Sequence, residues 1–177
     1  MGLIRCWRGI TACMHTNSRQ ILHRKLNFKH ISWSTLGSLC AIGLIAYLSA
    51  ITGYAFLIPP FGATCYIVFS IPDSAFAQPR SIIGGHVLAV LVGLFCSFIF
   101  GSIWWSQGIA IGTIVAGMHL VRVNHPPAAA TTMLLTLQEH NDWKVFFTVL
   151  IGSIMVAAVA VVFNKYVLKY KYPHYWW

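Results

Sequence analysis

The densest polar motif in this 177-residue chain combines an arginine, two histidines and an asparagine with two prolines and a run of small residues. Its members are His119, Arg122, Asn124, His125, Pro126, Pro127, Ala128, Thr131 and Thr132. Proline suits the first turn of a helix, because its missing N–H would be unpaired there anyway. Such a helix start carries partial positive charge and attracts anions. We therefore predict an anion site, formed by the cationic side chain, Asn124 and His125, the backbone of Ala128, and the two threonine hydroxyls.

Arg122 is the sharpest single candidate in this motif. A guanidinium on a membrane helix is costly and usually faces an interior site or a water path. The alternative is that its long side chain reaches the interface from a helix end. His119 lies three residues earlier, which predicts the same helix face. Because histidine titrates near neutral pH, His119 is also a candidate for handling a proton.

A second polar stretch precedes another long apolar segment. Arg80 and Ser81 come just before Gly84-Gly85-His86, where a helix dipole would reinforce an anion site. Arg80 has two other interpretations: an interfacial cation, or an ion-pair partner of Asp73. His86 is either a second proton-handling residue or a hydrogen-bonded packing histidine.

The composition determines the class of protein that carries these motifs. Twelve Lys and Arg face three Asp and Glu, giving a net charge of +9, and 58% of residues are hydrophobic while 8% are charged. Soluble domains carry roughly 25% charged residues, so a soluble enzyme is excluded, and the apolar content argues against disorder. Binding to nucleic acid would suit the charge but not the mean hydropathy of +0.71. We expect a small integral membrane protein that contacts the lipid bilayer and no nucleic acid.

The scarcity of acidic residues also bears on the ligand. No Asp or Glu lies in a long apolar run, so the polar groups there suit a small anion better than a cation. The histidines have no metal-ligand spacing, and no nucleophile motif is present, so we predict no metal, no cofactor and no enzymatic activity. A haem-binding subunit is a weaker alternative.

Basic residues cluster before Trp33 and after Phe163, which predicts that both termini are cytoplasmic and that the number of crossings is even. The first residues resemble no cleavable signal peptide. We expect a bacterial inner (plasma) membrane, with an organellar membrane less favoured. The domain prediction is a basic arm at 1–32, a transmembrane domain at 33–164 and a basic aromatic tail at 165–177.

The apolar pattern predicts an all-α fold with four long transmembrane helices and two short proline-interrupted segments. The long runs are Leu36–Leu57, Ile82–Trp104, Gly108–Val123 and Val145–Phe163, with a turn at 104–108. The short segments, Gly62–Ile71 and Ala128–Leu137, each follow a double proline and span about 15 Å if helical. Four or six crossings result, depending on whether these segments cross fully.

An offset of 67 positions aligns two halves, at about 36–104 and 103–164. Pro59 and Pro60 then match Pro126 and Pro127, and Ala63-Thr64 matches Ala130-Thr131. Proline breaks at matching positions of two halves point to a transporter binding site. The alternative is that the four prolines only shape short packing elements.

Asn124-His125-Pro126-Pro127-Ala128-Ala129-Ala130-Thr131 resembles the signature of the HPP family of small integral membrane proteins, and Ala77-Gln78-Pro79-Arg80 with Gly84-Gly85-His86 resembles its second motif. The resemblance covers about Trp33 to Asn164. It implies four transmembrane helices and transport of a small inorganic anion such as nitrite, which is associated with some members. A non-transporting scaffold or assembly subunit is the alternative. A homo-oligomer is also expected to be feasible, since few helices make a thin wall around a path.

Overall fold

A computed structural model of the chain describes residues 28–138 and 143–176, and this part is all-α, with no strand. The predicted fold class is confirmed at this level. The elements in chain order are α1 (Phe28–Thr52), α2 (Pro60–Ser70), a 3₁₀ turn (Ala75–Ala77), α3 (Pro79–Phe100), α4 (Trp104–Leu120), α5 (Pro126–Leu137), α6 (Lys144–Val162) and a π-helical turn (Phe163–Val167).

Three helices in the described part are long and apolar enough to cross a membrane: α1, α3, and α6 together with its π-helical turn. The four long helices of the prediction are therefore not confirmed. The fourth, α4, has 17 residues, which at 1.5 Å per residue gives about 25 Å. That length is shorter than the hydrocarbon core of about 30 Å.

Prolines and glycines determine where the helices begin and end. α2, α3 and α5 all begin at a proline. α1 ends at Thr52, earlier than its apolar run predicted, and Gly53 follows with a φ of +73°. The predicted turn at 104–108 was wrong, because α3 ends before Gly101, with a φ of +67°, and α4 already begins at Trp104. Glycine adopts this left-handed backbone without the steric cost of a side chain.

Hydrogen bonds between helix ends define one end of the bundle. The Ser34 hydroxyl near the start of α1 donates to the carbonyl of Phe69 at the end of α2, over 2.7 Å. Arg80 at the start of α3 donates to the carbonyl of Val121, just after α4, over 3.2 Å. The amide of Asn164, after α6, donates to Val68 near the end of α2 over 3.2 Å. We call this end, which carries Arg80 and Arg122, the arginine end.

The opposite end joins the α3–α4 turn to the end of α5, where the Ser102 hydroxyl donates to the carbonyl of Gln138 over 3.1 Å. We call it the tryptophan end, after Trp104 and Trp143 at the starts of α4 and α6. Thus α1 and α3 run away from the arginine end, while α4 and α6 run towards it. The short helix α2 ends at the arginine end and α5 ends at the tryptophan end, so the two short helices point in opposite directions.

The core is built around α3, which packs against α4, α5 and α6. At Gly93 an added Cβ would lie 2.9 Å from Leu135 Cβ, so α3 and α5 approach closely there. The Thr132 hydroxyl reinforces this contact by donating to the carbonyl of Ala89 over 3.1 Å. Large apolar side chains such as Phe98 (89% exposed) face outward, as suits a lipid-facing surface.

The predicted boundaries of the transmembrane domain can be compared with the helix bounds at both ends. α1 already includes 28–32, which the sequence assigned to the basic arm, and the rest of that arm lies outside the described residues. The tail begins inside the π-helical turn and continues as non-helical chain to residue 176.

Candidate functional site

The two short helices begin inside the bundle, next to a pair of buried histidines. Thr64 lies one turn into α2, and its hydroxyl oxygen is 2.9 Å from Nε2 of His125, the residue directly before α5. The same oxygen is 3.2 Å from Nε2 of His86 on α3. All three side chains are fully buried. The starts of α2 and α5 therefore meet at one point, far from the end of each helix.

A second threonine completes the group. The Thr131 hydroxyl, one turn into α5, is 3.0 Å from Nδ1 of His86. On the other side, His125 Nδ1 donates to the carbonyl of Phe76 over 2.8 Å. The two imidazole rings are edge to face, with centroids 5.1 Å apart. We call Thr64, His86, His125 and Thr131 the His–Thr cluster.

Local sequence makes the close approach of these side chains possible. An added Cβ at Gly85 would lie 2.8 Å from His125 Cβ and 3.3 Å from the carbonyl oxygen of Val123. Only a residue without a side chain fits at this contact. The prolines that begin α2 and α5 have no N–H, so fewer unpaired donors are buried beside the rings.

The cluster unites three of the predicted site residues: His86, His125 and Thr131. Other predicted members lie nearby with partners of their own. The Ser81 hydroxyl donates to the carbonyl of Ala75 over 3.0 Å. The Ala128 N–H donates to the carbonyl of His125 over 2.9 Å, so binding an anion would require this N–H to turn away from that carbonyl.

The arginines lie at the arginine end and not in the cluster. Arg80 is half-buried and donates to Val121, while Arg122 and His119 are exposed and Asn124 is half-buried. The prediction that His119 and Arg122 share a helix face was wrong, because α4 ends at Leu120.

The backbone explains this ending. Arg122 has a φ of 57°, its N–H donates to His119, and the Val123 N–H donates to Met118 over 3.0 Å. This pattern is a Schellman motif, which ends a helix with one left-handed residue.

The four prolines of the predicted breaks stand at the starts of the short helices. Pro59 is the cap residue of α2 and Pro60 its first residue. Pro126 begins α5 and Pro127 follows it. The chain before each break is non-helical, over residues 53–59 and 121–125, with isolated turns.

The family model for the HPP transmembrane region matches residues 23–173, which is most of the chain. The chain belongs to the HPP family. It is also similar to two transmembrane proteins of Dictyostelium discoideum. One is 27% identical over 168 residues, covering 86% of this chain and 53% of the relative. The other is 29% identical over 163 residues, covering 85% and 57%. The chain thus spans about half the length of these curated relatives, and no solved structure matches it.

Sequence reasoning on this HPP protein missed Thr64 and the carbonyl of Phe76 as parts of the site. One signal for Thr64 was present, since the offset of 67 positions aligns it with Thr131. No signal marked Phe76, because its contribution is a backbone oxygen that any residue type would supply.

The C-terminal tail closes over the loop that carries this carbonyl. Buried Tyr172 donates its hydroxyl to Ala77 over 2.6 Å, and the His174 N–H donates to the Gln78 side chain over 2.9 Å. Asp73 lies 3.1 Å from the His174 ring, so it does not pair with Arg80 as one alternative proposed. Within 28–138 and 143–176, no group of three His, Cys, Asp or Glu side chains is placed to hold a metal ion.

Proposed function

We propose that this HPP protein is a membrane transporter or channel that passes a small inorganic anion such as nitrite. The observation that carries the proposal is that two short helices, which point towards opposite ends of the bundle, both begin at the buried His–Thr cluster. Helix starts carry partial positive charge, and broken helices that begin deep in a membrane bundle form substrate sites in known transporters. An anion would be held between the starts of α2 and α5.

The charge distribution supports the same ligand class. Among the described residues Asp73 is the only Asp or Glu, and its side chain is 87% exposed, so no carboxylate of this part repels an anion from the cluster. Arg80 and Arg122 at the arginine end would attract anions from solution. Asn124 would supply a neutral donor between the arginine end and this point. Further neutral donors would come from groups that must first release their present hydrogen bonds, namely Ser81, Thr131, Thr132 and the Ala128 N–H.

Several features of the two halves agree when they are aligned with the offset of 67 positions, and this agreement supports a path at this point. With the offset of 67 positions, the bounds of α2 and α5 coincide to within one residue. An added Cβ at Gly85 would lie 3.4 Å from Ala128 Cβ, and one at Gly152 would contact the ring of Phe61; both pairs are related by the same offset. We infer an internal repeat with inverted halves, and six crossings when segments 53–59 and 121–125 are counted with the short helices.

Six of the seven described Lys and Arg residues lie at the arginine end, and only Lys144 lies at the other. By the positive-inside rule we propose that the arginine end is cytoplasmic, together with both ends of the described chain. The protein is an integral membrane protein of its family. A bacterial inner membrane stays a prediction, and the relatives described above come from a eukaryote.

The test of the proposed function is nitrite uptake into proteoliposomes of the full chain, compared with empty vesicles. We expect Arg122→Asn to slow uptake several-fold, because the attracting charge is lost while asparagine tolerates the left-handed backbone. Lys169→Asn is the matched control, since Lys169 is an exposed cation with the same φ of 57°. Uptake equal to empty vesicles would refute transport of nitrite, and equal slowing by both variants would refute the role of Arg122.

A scaffold or assembly subunit is the second candidate function. It is favoured by the completeness of the internal hydrogen bonds, because Asn164 Oδ1 is the only buried side-chain polar atom of the described residues without a partner. A scaffold would tolerate Arg122→Asn and would be purified with a partner. The mass of the detergent-solubilised particle would also test the expected homo-oligomer, in which more than one copy encloses the path.

A further inference from the structure

The hydrogen bonds of the neutral His–Thr cluster have one possible direction, set at the Phe76 carbonyl. A carbonyl only accepts, so Nδ1 of His125 carries a proton and donates it. A neutral imidazole protonated at Nδ1 has an acceptor at Nε2. His125 Nε2 must therefore accept the hydroxyl proton of Thr64, which lies 2.9 Å away.

This assignment fixes the other two members. Thr64 has one hydroxyl proton, and with that proton donated to His125, its oxygen accepts from His86 Nε2 over 3.2 Å. His86 is then protonated at Nε2, so its Nδ1 accepts from the Thr131 hydroxyl over 3.0 Å. The result is one continuous chain of donors and acceptors from Thr131 to the carbonyl of Phe76.

The Thr64 hydroxyl has a second hydrogen-bond acceptor within reach, which it can use when His125 is protonated. The hydroxyl also lies 3.2 Å from the carbonyl of Pro60. If His125 gains a proton, its Nε2 becomes a donor, and the Thr64 hydroxyl can turn to Pro60 while its oxygen accepts from both rings. The cluster thus has a satisfied arrangement with and without an added proton.

We propose that the His–Thr cluster is a proton relay, so that the protein moves protons together with its anion. The chain runs from Thr131, inside α5, to the loop at the arginine end. The two buried imidazoles and two hydroxyls form one continuous line with a second satisfied arrangement for an added proton, and linked imidazoles and hydroxyls of this kind suit proton transfer. The inference rests on the proposed function only for the identity of the transported anion.

The steps balance in protons at every residue. A donor near Thr131, either water or the protonated anion, gives one proton to the Thr131 oxygen as the hydroxyl proton of Thr131 passes to His86 Nδ1. His86 Nε2 gives its proton to Thr64, and Thr64 gives its own to His125 Nε2. The hydrogen bond from His125 Nδ1 to the Phe76 carbonyl then breaks, because a carbonyl does not carry the proton further, and Nδ1 releases its proton to water at the arginine end. Each residue gains one proton and loses one, and each imidazole gains its proton at one nitrogen and loses it from the other, so that both rings change tautomer. Turning of the hydroxyls and rings restores the starting direction.

The remaining titratable and charged groups around the cluster do not interrupt the chain, since both rings have all their hydrogen bonds within it. On the elements packed around the two rings these groups are Cys65 and Tyr66 on α2, Arg80 and Cys96 on α3, His119 and Arg122 at the end of α4, and Lys144 on α6. Tyr66, His119, Arg122 and Lys144 are exposed, and Asp73 binds His174. Cys65, next to Thr64, is the nearest in sequence to a cluster residue.

The test uses proteoliposomes of the full chain with an entrapped pH-sensitive dye at mildly alkaline pH. One arm imposes a membrane potential with potassium and valinomycin in a buffer without permeant anions, and the other imposes a nitrite gradient. We expect wild-type proton flux above that of empty vesicles. Thr64→Val should lower it by at least about a hundredfold, the lower end of the effect of losing a proton-transferring group. Thr64→Ser, which keeps the hydroxyl, should stay close to wild type.

Two further outcomes separate this inference from the proposed function. Nitrite uptake without any change in lumen pH above empty vesicles would overturn the relay and leave anion transport standing. Proton flux without nitrite uptake, lost in Thr64→Val, would support the relay and overturn nitrite transport. Equal proton flux in Thr64→Val and wild type would overturn the relay.

A second variant covers the case that Thr64→Val does not fold. His125→Asn retains an N–H that reaches towards the Phe76 carbonyl but lacks the second ring nitrogen, so proton flux should fall as in Thr64→Val. Proton flux at the wild-type level in His125→Asn would refute the relay.

Discussion

At the scale of single residues, the site depends on a missing side chain. Gly85 lies under His125, where an added Cβ would meet His125 Cβ at 2.8 Å. The atoms it would meet include the carbonyl oxygen of Val123, which cannot move without shifting the chain before α5. The position of the His125 ring, and with it the contact to Thr64, therefore follows from the type of residue at 85.

We predict that Gly85→Ala destabilises the protein by about 1–3 kcal/mol, the usual cost of overpacking a filled core. Thermal unfolding in detergent would measure the change. Gly112→Ala is the matched control, because Gly112 is an exposed position within α4 and an added Cβ has nothing within 4 Å. Its expected effect is a gain of about 0.5–1 kcal/mol from helix propensity. A variant at Gly85 as stable as the one at Gly112 would contradict the described contact.

At the scale of elements, the C-terminal tail holds the loop before α3 in place. Tyr172 is 3% exposed and donates to Ala77, and its neighbour His174 contacts Gln78 and Asp73. This loop supplies the carbonyl of Phe76 that orients His125. The tail therefore supports the site through one intervening element.

We predict that Tyr172→Phe loosens the tail, because the lost hydrogen bond contributes about 0.5–1.5 kcal/mol. Limited proteolysis of reconstituted protein should cut the tail faster in this variant. Tyr175→Phe, a change at an exposed position, is the control, and its tail should be cut at the wild-type rate.

Tail docking should also depend on pH. Burial raises the pKa of Tyr172 above its ordinary value of about 10, so the stabilisation is complete below that pH. It is lost as the pH rises further, because the unfolded tail then ionises and the docked one does not. Wild-type cleavage should accelerate above about pH 10, and Tyr172→Phe should abolish this acceleration. The same acceleration in the variant would show that another group is responsible.

At the scale of the whole molecule, the chain enters and leaves the bundle at the same end. The start of α1 and the chain after α6 both contact the end of α2, through Ser34 and Asn164. Six described cations gather there, while two tryptophans begin the helices at the opposite end. This arrangement predicts one orientation in a cell membrane.

We predict that Tyr175→Cys and Trp104→Cys, each in a background without native cysteines, react with a membrane-impermeant maleimide from opposite sides. Both positions are exposed, at 41% and 83%. In intact cells the reagent should reach residue 104, and in inverted vesicles residue 175. Labelling of both from one side would contradict the direction of the helices.

The sequence by itself determined the class of protein, the family and the places next to the double prolines where the two short helices begin. Few charges and long apolar runs leave only a membrane protein, and prolines begin α2, α3 and α5 because their missing N–H suits a first turn. The motifs also identified His86, His125 and Thr131, although not what they contact. Local patterns suffice here because each of these features depends on neighbouring residues or on overall composition.

Only the tertiary structure decided which residues meet. Thr64 and His125 are separated by 61 positions, and Phe76 and His125 by 49, so no local pattern relates them. The opposite directions of α2 and α5 follow from contacts at their far ends. The chain turns at Gly101, which has a φ of +67°, and not at 104–108 as predicted. Arg122 lies outside the helix, because a Schellman motif ends α4 at Leu120. Packing between distant segments, which a linear pattern does not encode, turned two separate histidine motifs into one buried cluster.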